Sequence, residues 1–120
     1  MGLKDTKFVE PTGLSQENVS TAHDLLKMVK AASTFEIIRS LSSQPKAEIP
    51  LGKQAIKVNN TNPLTSKFSI VLSKTGFTNP AGGCLVMIMN SPVGQRILIL
   101  LGSRNARTRI PDMENLIKKL

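Results

Sequence analysis

Apolar positions at helical spacing are clearest from Ala22 onward, where Ala22, Leu25, Leu26, Val29 and Ala32 fall on one face. Thr21 precedes them as an N-cap, with Asp24 as the acid of the first turn, so Asp24 has a structural role and His23 points to the polar side. Phe35 to Leu41 predicts a second, short helix that stops at the Ser-rich break before Pro45. From Ala47 to Val58 the pattern weakens to short strand-like pieces around Gly52. Three clear strands follow, Phe68 to Lys74, Cys84 to Asn90 and Gln95 to Leu101. The turn Ser91-Pro-Val-Gly94 makes the last two an antiparallel hairpin. Both are apolar at odd and even positions alike, which implies burial on both faces. Met113, Leu116, Ile117 and Leu120 form the stripe of a final helix, with Pro111 tolerated only in its first turn. The order predicts an α+β fold, an antiparallel sheet flanked by helices.

At 120 residues the chain has the size of one domain, without internal repeats or low-complexity segments. Its longest wholly aliphatic run, Ile97 to Leu101, is far too short to span a bilayer. The first residues, Met1 to Thr6, show no basic region followed by an apolar core, hence no signal peptide in this segment. The net charge of +8 raises nucleic acid as a partner. The cations are scattered from Lys4 to Arg109, however, and neither Tyr nor Trp is present to stack on bases. A solvated basic surface is the better account, and no nucleic-acid partner is expected. Cys84 is the only cysteine, so no internal disulfide can form, and at the head of an apolar run it reads as a small core residue. No spacing of His, Cys, Asp and Glu suggests a metal site, and no cofactor motif is present.

The most informative stretch is Val71-Leu-Ser-Lys-Thr-Gly-Phe-Thr-Asn-Pro-Ala-Gly-Gly-Cys84. It contains the triplet Lys74-Thr75-Gly76, and K-T-G on a strand accompanies S-x-x-K and S-D-N in penicillin-binding proteins and class A β-lactamases. Two further blocks accompany it: Phe8-Val-Glu-Pro-Thr-Gly-Leu14 with Asn18-Val-Ser-Thr-Ala22, and Asn59-Asn-Thr-Asn-Pro-Leu64. Together they resemble the D-alanyl-D-alanine carboxypeptidase and endopeptidase family of low-molecular-mass penicillin-binding proteins, closest to its endopeptidase branch. The resemblance covers nearly the whole chain. It implies that residues 1–120 are the part of a catalytic domain that follows the S-x-N motif, with Met1 at a position internal to the family.

What the resemblance implies for function is a serine peptidase of the bacterial periplasm or cell envelope. Such an enzyme is a hydrolase that takes peptidoglycan stem peptides, forms an acyl-serine intermediate and is acylated by β-lactams. A basic surface is compatible with that acidic polymer. Carried onto this sequence, Lys74 places an ammonium in the cleft and Thr75 contacts the substrate carboxylate. Gly76 lets the substrate backbone approach the strand, and the N–H of Phe77 supplies half of an oxyanion hole. The nucleophile is not among these residues. Ser43-Gln-Pro-Lys46 and Ser103-Arg-Asn105 match S-x-x-K and S-x-N formally, but Pro45 opposes the helical turn that the first requires. Both also come in the wrong order for the family. Glu10 lies between the expected positions of the S-x-N and K-T-G motifs, and reads as a turn carboxylate ahead of Pro11. The isolated chain is therefore expected to be inactive and, with a sheet edge unpaired, to self-associate. The alternative from another class is a small basic binding module without enzymatic activity.

Overall fold

The computed structural model describes residues 1–120 and contains three α-helices, one 3₁₀ turn and five strands in two antiparallel sheets. Helix α1 (Ala22–Ala32) starts at Thr21, whose hydroxyl accepts the Asp24 N–H at 3.2 Å, the predicted cap. Asp24 does more than its place in the first turn suggests. Its buried carboxylate accepts from the Asp5 N–H and the Thr6 hydroxyl, each at 2.8 Å, and pairs with Lys27 at 3.4 Å. Burial pushes the Asp24 carboxyl up, but the Asp5 amide, the Thr6 hydroxyl and Lys27 together outweigh this and hold it below its ordinary value. The N-terminal segment is thereby tied to the helix, and an antiparallel bridge between Lys7 and Val19 closes the loop between them.

Helix α2 (Glu36–Ser43) ends where Gln44 turns extended. A hairpin follows, β1 (Lys46–Leu51) paired with β2 (Gln54–Asn59), turning at Gly52 with φ of +60°. It is exposed on both faces except at Ala47 and Val58. The 3₁₀ turn Pro63–Ser66 then leads into the main sheet: β3 (Ile70–Thr78), β4 (Gly82–Ser91) and β5 (Gly94–Ser103), in the order β3-β4-β5. Strand β3 runs past Lys74, where the apolar pattern stops, through the whole K-T-G triplet to Thr78. Pairing carries it on, since Gly76 sits opposite Cys84 and Thr78 opposite Gly82. Ladder hydrogen bonds override the weak strand preference of glycine there.

The period of two along β4 divides the core. Leu85, Met87 and Met89 join Leu64, Leu98 and Met113 on one face, beneath the last helix, α3 (Arg109–Ile117). Ile88 joins Leu72 and Val29 on the other face, beneath α1, with Val86 and Ile97 packed around them. Strand β5 is less buried than its composition suggests: Ile97, Ile99 and Leu100 are half-buried and Leu101 is exposed, because β5 is the terminal strand. Pro111 is the third residue of α3, within the first turn as required, and the stripe ends at Ile117, leaving Leu120 outside the helix. Ser103 anchors α3 through a 2.5 Å bond to the Asp112 carboxylate. No helix is long and apolar enough to cross a membrane.

Candidate functional site

The outer edge of β3 is the edge away from β4, and its first half is closed by α2. The Ser73 N–H donates to the Ser42 hydroxyl at 3.3 Å, and the Ser73 hydroxyl donates to the Ser42 carbonyl at 3.0 Å. In an antiparallel ladder, amides that face outward recur every second residue. The Thr75 and Phe77 amides therefore share the outer edge with Ser73, beyond the reach of α2. The structure thus places the Phe77 N–H, named from sequence, on an open edge.

Lys74 lines an apolar cavity of about 320 Å³ with Leu25, Val29, Ile38, Leu72 and Val86, while its ammonium turns back to donate to the Thr75 carbonyl. Thr75 is only 8% exposed, and its hydroxyl lies 2.7 Å from that of Thr61. A side chain at Gly76 would meet only the Cβ of Cys84, at 3.8 Å, an ordinary contact. Nothing inside the chain therefore demands glycine at Gly76, and what its missing side chain leaves free is approach from outside. Phe77 is 44% exposed and lines a second cavity, about 300 Å³, with Gly13, Val19, Gly76, Pro80 and Cys84. Cys84 is not the core residue its apolar run suggests. It is half-buried because its partner across the ladder is Gly76, which covers nothing.

Arg109, at the start of α3, was not picked out by sequence reasoning. Its Nη1 donates to the Gly76 carbonyl at 3.0 Å, and its buried Nε has no partner. Close packing of the chain sets it there. A Cβ at Gly83 would collide with the Asn105 carbonyl and lie 3.1 Å from the Arg109 Cβ. Nothing near Arg109 in the sequence announces this contact across 33 residues. Lys74 and Arg109 share a further property: neither belongs to any ion pair of the chain, whose salt bridges use Lys7, His23, Lys27, Lys57 and Lys67. Two cations thus reach backbone carbonyls of adjacent residues without a carboxylate of their own.

The Asn-rich turn holds this edge in place. Asn60 Nδ2 donates to the carbonyls of Ser42 at 3.2 Å and Gln44 at 2.9 Å, fastening the turn to the end of α2. Its Oδ1 accepts the Asn62 N–H at 2.9 Å, and Asn62 caps the 3₁₀ turn through the Leu64 N–H at 3.1 Å. With Ser42, Ser73, Lys74 and Thr75, this turn lines a cleft of about 450 Å³.

The formal matches resolve into structural roles. Ser43 closes α2 and Lys46 opens β1, so no helical turn joins them. Ser103 is buried against Asp112, and the Asn105 side chain accepts from the Arg107 and Thr108 amides. Glu10 is a turn carboxylate. It accepts from the Thr12 hydroxyl and N–H, the Ser15 N–H at 3.0 Å and Asn18 Nδ2 at 2.5 Å. The Thr12 hydroxyl and then the Ser15 amide hold its pKa down at about 2, against an ordinary 4.5. Glu10 thus builds the loop that faces Gly76 and Phe77 across the second cavity, and is a poor proton acceptor at neutral pH.

A family model described as D-alanyl-D-alanine carboxypeptidase matches residues 1–105. The D-alanyl-D-alanine endopeptidase of Escherichia coli is 40% identical over 123 residues, covering 97% of this chain and 39% of the relative. That of Pseudomonas aeruginosa is 40% identical over 109 residues, 85% of this chain and 35% of the relative. Among solved structures, penicillin-binding protein D2 of Listeria monocytogenes in its ampicillin-bound form superposes with a TM-score of 0.79 at 30% identity. That match covers 94% of this chain and 47% of the other. A D-alanyl-D-alanine carboxypeptidase of Mycobacterium tuberculosis shares the fold, with a TM-score of 0.75 at 24% identity. The chain therefore spans less than half the length of each of these proteins.

The Glu10 loop has a pH signature. A carboxyl whose folded pKa is depressed stabilises the fold above its ordinary value, and that contribution is lost as pH falls through the depressed one. Amide-exchange protection at Thr12 and Ser15 should therefore be level above pH 4.5 and decline toward about pH 2. Glu10→Gln should remove the dependence. Protection that stays level in the unmodified chain down to pH 2 would show that the carboxylate does not hold the loop.

Proposed function

The chain belongs to the D-alanyl-D-alanine carboxypeptidase family, and on that premise we propose that it is the K-T-G-bearing part of a larger serine peptidase domain. The domain would cleave D-alanyl-D-alanine-type bonds of peptidoglycan in the bacterial periplasm or envelope, through an acyl-serine intermediate. One observation carries the reading: the open outer edge of β3 gathers an outward Phe77 amide, the Thr75 hydroxyl, an uncovered glycine and the Lys74 ammonium, which lacks a carboxylate partner. Such an edge suits an extended peptide ending in a carboxylate, which main-chain contacts would align and the Lys74 ammonium would hold. The serine would come from residues outside this segment.

Each group then has a task. The Phe77 N–H would stabilise the oxyanion that forms when the serine attacks the carbonyl. Lys74 would raise the positive potential of the cleft, Thr75 would hydrogen-bond the substrate carboxylate, and Gly76 would admit the substrate backbone. Sensitivity to β-lactams follows from the same chemistry, and the Listeria relative has been solved with ampicillin and with cefotaxime bound.

Three outcomes test this reading. In the full-length protein, Lys74→Ala should slow acylation by a labelled penicillin at least tenfold while folding is kept, since a charge-assisted contact of this kind contributes about 2–4 kcal/mol. Near-normal acylation would return Lys74 to an ordinary surface lysine. The 120-residue chain alone should take up no stoichiometric penicillin adduct by intact mass, and an adduct on Ser43 would identify a nucleophile within it. Alone, it should also associate through the unpaired outer edge of β5, giving dimers or larger species in sedimentation. A strictly monomeric sample with a sharp melt contradicts that expectation.

A further inference from the structure

The hydroxyls of Thr61 and Thr75 lie 2.7 Å apart, the usual separation for an O–H···O hydrogen bond. No other group of the chain hydrogen-bonds either hydroxyl. Each carries one proton, so the direction of this bond decides what Thr75 can offer elsewhere. If Thr75 donates to Thr61, its proton is consumed and only lone pairs face outward, which repel an anion. If Thr61 donates, the Thr75 proton is free.

The turn leaves Thr61 little freedom. The Asn60 side chain and the Asn62 N–H are bonded to each other, and Asn60 is fastened to the end of α2. Thr61 is itself exposed, so no demand of the core explains the residue. Its branched Cβ restricts the side chain to few rotamers, which suits a hydroxyl that must point one way.

We propose that Thr61 is a positioning residue: it donates to Thr75 Oγ1 and so turns the Thr75 proton toward the carboxylate of the bound substrate. The inference rests on the reading of Thr75 as the carboxylate contact. Binding of an anion reinforces the arrangement, because a hydroxyl that donates to a charged acceptor becomes itself a better acceptor. Thr61 touches no reacting atom and acts only through Thr75.

The test uses the full-length protein and one acyl-D-alanyl-D-alanine peptide, offered as the free acid and as the C-terminal amide. The readout is the ratio of the two kcat/KM values, which isolates recognition of the carboxylate. Thr61→Val, which leaves the Thr75 hydroxyl unpolarised and free to rotate, should lower this preference for the acid about fivefold, less than loss of the Thr75 hydroxyl itself. Thr61→Ser, which restores the hydroxyl, should return it to within about twofold of the parent. Thr61→Ala carries the same expectation if valine disturbs the turn. An unchanged ratio in Thr61→Val, or a serine variant as impaired as the valine one, overturns the proposal. Thr75→Val separates the two levels. If it collapses the preference while Thr61→Val does not, the positioning role alone fails. If neither changes it, the carboxylate reading of Thr75 fails and the role of Thr61 with it.

Discussion

The division of one strand edge between α2 and open solvent is the constraint on which the site depends. Ser42 covers the amide and side chain of Ser73, and the helix ends one residue later, so β3 emerges from under it at Lys74. Were α2 a turn longer, the edge at Thr75 and Phe77 would be occupied by the chain itself. Were it shorter, Ser73 would lose its bonds and the strand its anchor. Asn60 sets the length by binding the Ser42 and Gln44 carbonyls, which gives the helix end its hydrogen bonds from outside the helix. An open strand edge is ordinarily a liability. Here it is short, carries the Lys74 ammonium and is flanked by two cavities, which favours a specific ligand over a second sheet.

Much of this was legible in the sequence, for a physical reason that also marks the limit. Strands, hairpin turn, helix cap and the position of Pro111 all depend on neighbours within a few residues, and periodicity records such relations directly. The K-T-G triplet and the Asn-rich turn were visible as blocks, and the structure brings Thr61 of one against Thr75 of the other. Contacts that span the fold were not visible. Arg109 looked like one of many scattered cations until the close approach of Gly83 and Asn105 brought it to Gly76. Cys84 misled for the same reason: its burial depends on the residue across the ladder, and that residue is a glycine.

Charge supplies the last link. The net +8 is a poor guide to partners while it is viewed as a total. Resolved by position, several lysines are balanced by nearby carboxylates, as Lys27 is by Asp24 and Lys67 by Glu114. Lys74 and Arg109 are bonded to backbone carbonyls instead, on residues that neighbour each other in β3. A carbonyl orients a cation without neutralising it, so the positive potential at this edge survives folding. Glu10, in the loop across the neighbouring cavity, is saturated by its own loop and turned to structural use. The fold thus binds Glu10 into its own loop and leaves the Lys74 ammonium unneutralised where β3 is open, the electrostatic condition for an anionic peptide end to be drawn to that edge.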